Sequence, residues 1–206
     1  MELIKKNIPV FIILVFHMVG FVGFLFNPSY FRTLSPVNLL LSTGLVLVMS
    51  NQSKWQFWLA VFCVCIAGFF IEVIGVKTHL IFGSYHYGNS LGYRLLSVPL
   101  LIGVNWAVLL YATSQFAVLK NKILNALLGA LLMVGLDFLI EQSAAKLDFW
   151  YWKGGVIPLQ NYIAWFIVSF GLNLLVQKYF TGKPNVTAKA FYLVQFVFFM
   201  ALYFFL

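Results

Sequence analysis

The chain has 206 residues, of which 63% are hydrophobic and 9% charged. A soluble domain carries about 25% charged residues, so this composition excludes a water-soluble globule and predicts an integral membrane protein. The formal charge of +8 is not a nucleic-acid signal, because the thirteen Lys and Arg residues fall almost entirely between apolar runs, where such residues set topology and meet lipid headgroups.

A bilayer core needs about 20 apolar residues per helix. Seven runs answer to that: 8–26, 36–50, 55–76, 95–116, 122–141, 157–179 and 188–206. The fold class predicted is therefore all-α, a single transmembrane domain over 1–206 with about seven spans. The first run, Ile8–Phe26, lacks a small-residue cleavage site and reads as a span rather than a signal peptide. His17 stands alone in it and reads as a helix–helix contact. The second run is the shortest. The third carries Cys63 and Cys65, which read as buried structural thiols, and ends near Glu72. A long gap, Lys77–Arg94, follows and holds Phe82-Gly83-Ser84-Tyr85-His86-Tyr87. The fourth run opens with Pro99, Asn105 and Trp106. The fifth ends near Asp137 and Glu141. The second long gap, Gln142–Gly155, holds Phe149-Trp150-Tyr151-Trp152. The sixth run opens with Pro158, Asn161 and Trp165. No Lys lies mid-span in the seventh, which argues against a retinal Schiff base.

Lys5, Lys6, Lys54, Lys120, Lys122, Lys178, Lys183 and Lys189 fall on one face of this topology. Arg32, Lys77, Arg94, Lys146 and Lys153 fall on the other. The bias predicts a cytoplasmic N-terminus and an outward C-terminus. The third and fifth spans then run the same way, so Glu72, Asp137 and Glu141 approach one face, together with both long loops. The polar and aromatic oddities are expected to gather in that half of the bilayer.

Two segments also match each other. Pro99 precedes Trp106 by seven residues, and Pro158 precedes Trp165 by the same offset. Seven residues is nearly two helical turns. Each pair follows an aromatic-glycine loop and an acid-bearing span. Spans three-four and five-six read as parallel repeats around a central site, a common location for membrane sites.

The chain contains only five acids, and three of them are Glu72, Asp137 and Glu141. A carboxylate inside a span costs roughly 2.5–3.5 kcal/mol on insertion scales, so an intramembrane acid is a functional-site candidate by default. Asp137 and Glu141 are four apart and share a helix face. Two carboxyls that close in a low dielectric cannot easily both ionise, which leaves a proton donor beside a carboxylate base. The alternative is that each acid pairs with a lysine such as Lys77 or Lys146, or caps backbone. Tyr85, Tyr87, Trp106, Trp150, Trp152 and Trp165 read either as an interfacial aromatic belt or as the wall of an apolar pocket able to stabilise a cation. Asn105 and Asn161 either orient water and acids or glue helices together. His79 and His86 show no metal-ligand spacing, so no metal is predicted. Magnesium-binding D-x-x-x-D motifs and glycine-rich nucleotide loops are absent as well.

The run Glu72-Val73-Ile74-Gly75-Val76-Lys77-Thr78, then Phe82-Gly83, Tyr85, Tyr87, Val98-Pro99-Leu100 and Asn105-Trp106, resembles the membrane carotenoid 1′,2′-hydratases of the CruF type, related to bisanhydrobacterioruberin hydratase. Asp137 to Glu141, then Asp148-Phe149-Trp150, Trp152, Ile157-Pro158, Asn161 and Trp165 resemble them too. The likeness covers about residues 65–170. Lys77 and His79 within Gly75-Val76-Lys77-Thr78-His79, Glu141-Gln142 and Ala164 depart from the family pattern, which bears on substrate and regiochemistry more than on reaction type. The resemblance implies a cofactor-independent hydro-lyase of carotenoid biosynthesis. It would add water across the C1′=C2′ double bond of an acyclic ψ-end, of the γ-carotene or lycopene type, to give a tertiary 1′-hydroxyl. Glu72, Asp137 and Glu141 would be catalytic; Tyr85, Tyr87, Asn105, Trp106, Trp150, Trp152, Asn161 and Trp165 would hold substrate. Partners would be the lipophilic carotenoid, water and membrane lipid, with room for other carotenoid-pathway enzymes. The membrane would be a bacterial inner membrane. Alternatives are a membrane lycopene cyclase using the same acid-generated cation, and a proton-coupled transporter or carotenoid-binding protein.

Overall fold

The computed structural model describes the backbone of residues 2–182 and 184–206, and the side chains from residue 7 onward except 183. Lys5, Lys6 and Lys183, three contributors to the charge bias, lie outside the described side chains. The chain forms α1 (Glu2–Phe26), α2 (Pro28–Phe31), α3 (Ser35–Val48), α4 (Trp55–Thr78), β1 (Tyr85–Tyr87), β2 (Arg94–Leu95) and β3 (Val98–Pro99). There follow α5 (Leu100–Ser114), α6 (Lys122–Ala144), β4 (Trp150–Trp152), α7 (Leu159–Phe180) and α8 (Val186–Phe205). Six stretches are long and apolar enough to cross a membrane, and α5 is a shorter apolar seventh. The architecture is that of an all-α membrane protein of about seven helices.

The second span is longer than its apolar run predicts. α2, a 3-10 turn at Arg32–Leu34 and α3 follow one another, so Pro28–Val48 makes one 21-residue stretch. Asn27 caps its start by accepting from the Tyr30 backbone N–H at 3.2 Å, as an N-terminal Asn does when the first amides lack helical partners. The fourth span is shorter than predicted, because residues 94–99 form a hairpin instead of helix. β2 and β3 pair antiparallel, and the two linking residues, Leu96 (φ 53°) and Ser97 (φ 73°), are both left-handed. That backbone suits a two-residue hairpin loop. Pro99 has no N–H to donate and disfavours helix in the residue before it, so α5 starts at Leu100.

α5 lies at the centre. Residues 106–114 are all buried, and the helix touches α3, α4, α6, α7 and α8. A helix apolar on all sides belongs inside a bundle. α4 approaches it closely through glycines: a Cβ at Gly103 would lie 2.5 Å from the Cys65 carbonyl oxygen, and one at Gly68 2.5 Å from Trp106 Cβ. Small residues permit such contact where helix association rests on packing rather than on the hydrophobic effect. Cys63, in contrast, is exposed and Cys65 only half-buried. Cys65 packs at the edge of the α4–α5 contact, where a Cβ at Gly103 would lie 3.2 Å from its Sγ, while Val64, Gly68 and Glu72 take the fully buried positions of that face.

The two long loops meet. β1 pairs antiparallel with β4 in the register Tyr85↔Trp152, His86↔Tyr151 and Tyr87↔Trp150. Gly83, at φ +112°, turns the chain into β1, and a Cβ there would sit 2.7 Å from Pro158. The ribbon covers one end of α4 to α7.

Candidate active site

Glu72 sits on α4 below that ribbon and is buried. Its Oε2 accepts hydrogen bonds from Tyr85 Oη at 2.5 Å and Tyr87 Oη at 2.7 Å; its Oε1 accepts from Trp106 Nε1 at 3.1 Å. Burial, followed by the neighbouring Glu72 charge, pushes both phenols well above their ordinary pKa, so they keep the protons they donate. Tyr85 and Tyr87 are two apart in a strand and project to the same side of the ribbon, which is why both reach one carboxylate.

Glu141 on α6 has a parallel arrangement. Its Oε2 accepts from Trp150 Nε1 at 3.0 Å and Trp152 Nε1 at 2.7 Å, again two residues i, i+2 on one strand. Asn161, one turn into α7, links it to Asp137. The Asn161 Nδ2 donates to Asp137 Oδ2 at 3.0 Å and to Glu141 Oε1 at 3.2 Å. The donors to these carboxylates are thus Tyr, Trp and Asn side chains among the described residues; Lys77 and Lys146 are not among them. The matched α4–β1–α5 and α6–β4–α7 contacts are those expected of two repeats facing each other.

The three acids border one chamber of about 30 Å³, together with Tyr85, Tyr87, Asn105, Trp150, Trp152, Asn161 and Trp165. A volume of that order holds a water or two. Trp106 does not border the chamber. It is fully buried, stacks on Trp165 with centroids 4.1 Å apart and planes 13° apart, and reaches Glu72 from behind. Asn105 borders the chamber without a hydrogen bond to any of the acids, so its amide is a free polar group of the wall among the described residues. Phe82, Ile102 and Ile140 complete the lining. Phe82 stands out in the sequence as the start of the aromatic-glycine loop; nothing separates Ile102 and Ile140 from dozens of similar apolar residues, except that Ile140 precedes Glu141.

Asp148 organises the ribbon from outside the membrane spans. Its Oδ2 accepts from the Asn89 backbone N–H at 3.1 Å and Ser90 Oγ at 3.0 Å, and its Oδ1 accepts from Tyr151 Oη at 2.8 Å. Burial works against this carboxylate, but the hydrogen bonds from Tyr151, Asn89 and Ser90 and the charge of Arg32 outweigh it and hold its pKa below the ordinary value. Its backbone sits at φ 57°, a region Asp tolerates better than most residues.

The expectation that polar residues gather in one half of the membrane is not met. α7 carries a buried series at four-residue spacing, Asn161, Ser169, Asn173 and Gln177, with Trp165 between the first two. Near the far end Asn185 donates to the Val46 carbonyl at 2.9 Å and to Tyr111 Oη at 3.1 Å. The reason is local satisfaction. Ser169 Oγ donates to the Trp165 carbonyl at 2.5 Å, Asn173 Nδ2 to the Ser169 carbonyl at 2.9 Å and Gln177 Nε2 to the Lys122 carbonyl at 3.2 Å. These groups serve helix packing. His17 likewise is a helix contact: its Nδ1 bonds the Ile13 carbonyl at 2.8 Å, and its ring meets Phe191 and Phe198 of α8 edge-on.

Residues 34–206 match the carotenoid biosynthesis protein family. The chain belongs to that family. It is also similar to the bisanhydrobacterioruberin hydratase of Haloarcula japonica, with 26% identity over 122 residues. That alignment covers 53% of this chain and 41% of the relative, so the chain spans well under half the length of that protein. No solved structure matches.

Proposed function

We propose that the protein hydrates the acyclic ψ-end of a carotene, adding water across C1′=C2′ to leave a tertiary 1′-hydroxyl. The observation that carries this reading is the water-sized chamber bordered by three carboxyl groups. Alkene hydration needs a strong acid, a base and one water in a dry place, and it needs them together.

Asp137 is the proposed proton donor. Among the described residues it receives a single hydrogen bond, at Oδ2, which leaves Oδ1 to carry a proton toward the substrate. The proton goes to C2′ and a tertiary cation forms at C1′. The faces of Trp150, Trp152, Trp165 and Tyr85 stabilise that cation. Water in the chamber bonds to C1′, and its surplus proton passes to Glu141, which two indole N–H groups hold in position. Return of that proton to Asp137 closes the cycle, with one water consumed and no other reactant. Glu72, fixed by three donors, lies across the chamber as a second carboxylate facing the cation. The mechanism requires no cofactor or metal.

The family membership supports a carotenoid as substrate, and the relative's name supports hydration. Cyclisation would use the same cation but has no use for a water chamber. We place the protein in a bacterial inner membrane as a single transmembrane domain, with its N-terminus cytoplasmic and the acid chamber toward the outer face, following the charge bias. Expression in a host making lycopene or γ-carotene tests the reaction. The expected product gains the mass of one water; a cyclase product gains none. Hydroxylated product persisting in Asp137→Asn, Glu141→Gln and Glu72→Gln alike would sink the assigned roles.

A further inference from the structure

A second, larger cavity of about 270 Å³ lies against the acid chamber. Residues of α1, α3, α5, α6 and α8 enclose it, and it is mostly apolar, with His17, Ser35, Asn38, Asn105 and Gln195 among its lining. Leu101, Asn105 and Leu109 line it at four-residue spacing, so one face of α5 forms its floor. Four residues, Ile102, Asn105, Ile140 and Trp150, border both cavities. The two spaces are therefore neighbours across a thin wall whose polar groups are the Asn105 amide and the Trp150 indole.

The rim decides what can enter. Phe16 and Val19 of α1 and Val37 of α3 line the cavity and are 44%, 56% and 57% exposed. All three lie on membrane-spanning stretches. The mouth thus opens sideways between α1 and α3 into lipid, with no charged residue in the lining. The volume falls at the lower edge of ordinary ligand pockets. It takes the end of a long apolar chain and leaves the rest in the bilayer. The acid chamber is far smaller, with room for water beside the reacting end of the chain.

We propose that this cavity binds the terminal isoprenoid segment of an acyclic polyene hydrocarbon, which enters from the bilayer between α1 and α3 and presents its end double bond at Asn105 and Trp150. The ligand's identity rests on the hydration reading; the inference adds where it sits and how it arrives. It divides the work between two spaces, an apolar one for the body of the isoprenoid segment and a carboxyl-lined one where its end double bond meets water. The wall shared with the acid chamber is what favours a substrate chain over a structural lipid.

The test uses full-length protein purified in detergent, with lycopene as probe. Lycopene is achiral in a micelle and acquires circular dichroism in its visible band when held in a chiral site. Val37→Trp narrows the mouth at an exposed position. Gly20→Leu fills the interior, where a Cβ meets only Phe198 at 3.7 Å. Both are expected to raise the half-saturating lycopene concentration roughly tenfold, equivalent to losing about two buried methylene contacts. Gly135→Ala, where a Cβ meets nothing within 4 Å, is expected to bind lycopene like the wild type. Wild-type affinity in both pocket variants overturns the assignment, as does a wild type with no induced signal. Displacement of the signal by stoichiometric phospholipid marks a lipid crevice and overturns it too. If lycopene binds and the pocket variants weaken it while no hydrated product forms, hydration fails and the pocket stands. If hydration proceeds unchanged in both pocket variants, the pocket fails and hydration stands.

Discussion

Tyr85 and Trp152 lie directly opposite each other across the β1–β4 pair, rings 5.0 Å apart, and each donates to a different buried acid. Tyr85 holds Glu72 and Trp152 holds Glu141. One short ribbon therefore positions the carboxylates of two separate helices. A displacement of either strand moves both sides of the chamber, so the acids act as one constellation rather than three sites.

Removing one donor while keeping its ring separates the two uses of these aromatics. Trp152→Phe retains a π face but loses the 2.7 Å hydrogen bond to Glu141. Hydrogen bonds to charged groups contribute about 1.5–3 kcal/mol. Hydration turnover should fall roughly ten- to hundredfold, with little change in lycopene binding by induced circular dichroism. Full turnover in Trp152→Phe would mean the indole N–H does not position the base.

Asn161 distinguishes positioning from helix packing. Asn161→Ala leaves Asp137 Oδ2 and Glu141 Oε1 without their shared donor. The expected result is a large loss of kcat per folded molecule, with KM changed little. A helix-glue role would instead lower the unfolding temperature and leave turnover per folded molecule intact.

Gly68→Ala should damage the site from behind. The new methyl would meet Trp106 Cβ and Cγ at 2.5 Å, forcing the indole off Trp165 and away from Glu72. Overpacking of this kind costs about 1–3 kcal/mol. Gly135→Ala on α6, where a Cβ meets nothing within 4 Å, is the control and should be tolerated or slightly stabilising. Equal behaviour of the two variants in thermal unfolding and product assays would dissociate Gly68 from the site.

Asp148 gives a pH signature. Its folded pKa is lowered, so it contributes stability that is present above the ordinary carboxylate pKa and is lost as pH falls through the lowered folded value. The wild type should unfold at a higher temperature than Asp148→Asn at neutral pH. The gap should close as the pH is taken below the ordinary carboxylate range. A gap independent of pH would show that the carboxylate charge is not what clamps the ribbon.

The spans and the three acids were legible in the sequence because hydropathy is averaged over many residues and a charge in lipid is costly. The hairpin at residues 94–99 was not, since Leu96-Ser97 carries none of the Gly or Asn that usually marks such a turn. The β1–β4 ribbon joins segments more than sixty residues apart, and no local pattern records that pairing. Asp148 was legible only as part of the Asp148-Phe149-Trp150 motif, and its clamp on Asn89 and Ser90 was not, because those partners lie nearly sixty residues away. Ile102 and Ile140 look like any lipid-facing residue; only the packing of α5 against α6 makes them walls. Ser169, Asn173 and Gln177 were visible as polar, but their backbone partners belong to the folded helices.

Carboxylic acids held inside a bilayer also carry a bioenergetic hazard. In an energised membrane, a chain of polar groups running from them to the opposite surface would short-circuit the proton gradient. α7 holds the parts for such a wire, with Asn161 on one side of Trp165 and Ser169, Asn173 and Gln177 on the other. The Trp106–Trp165 stack stands between the two segments. On the proposed mechanism the paired indoles would be an insulator, confining the exchangeable protons to the side of the three acids so that acid chemistry in the membrane does not become a leak.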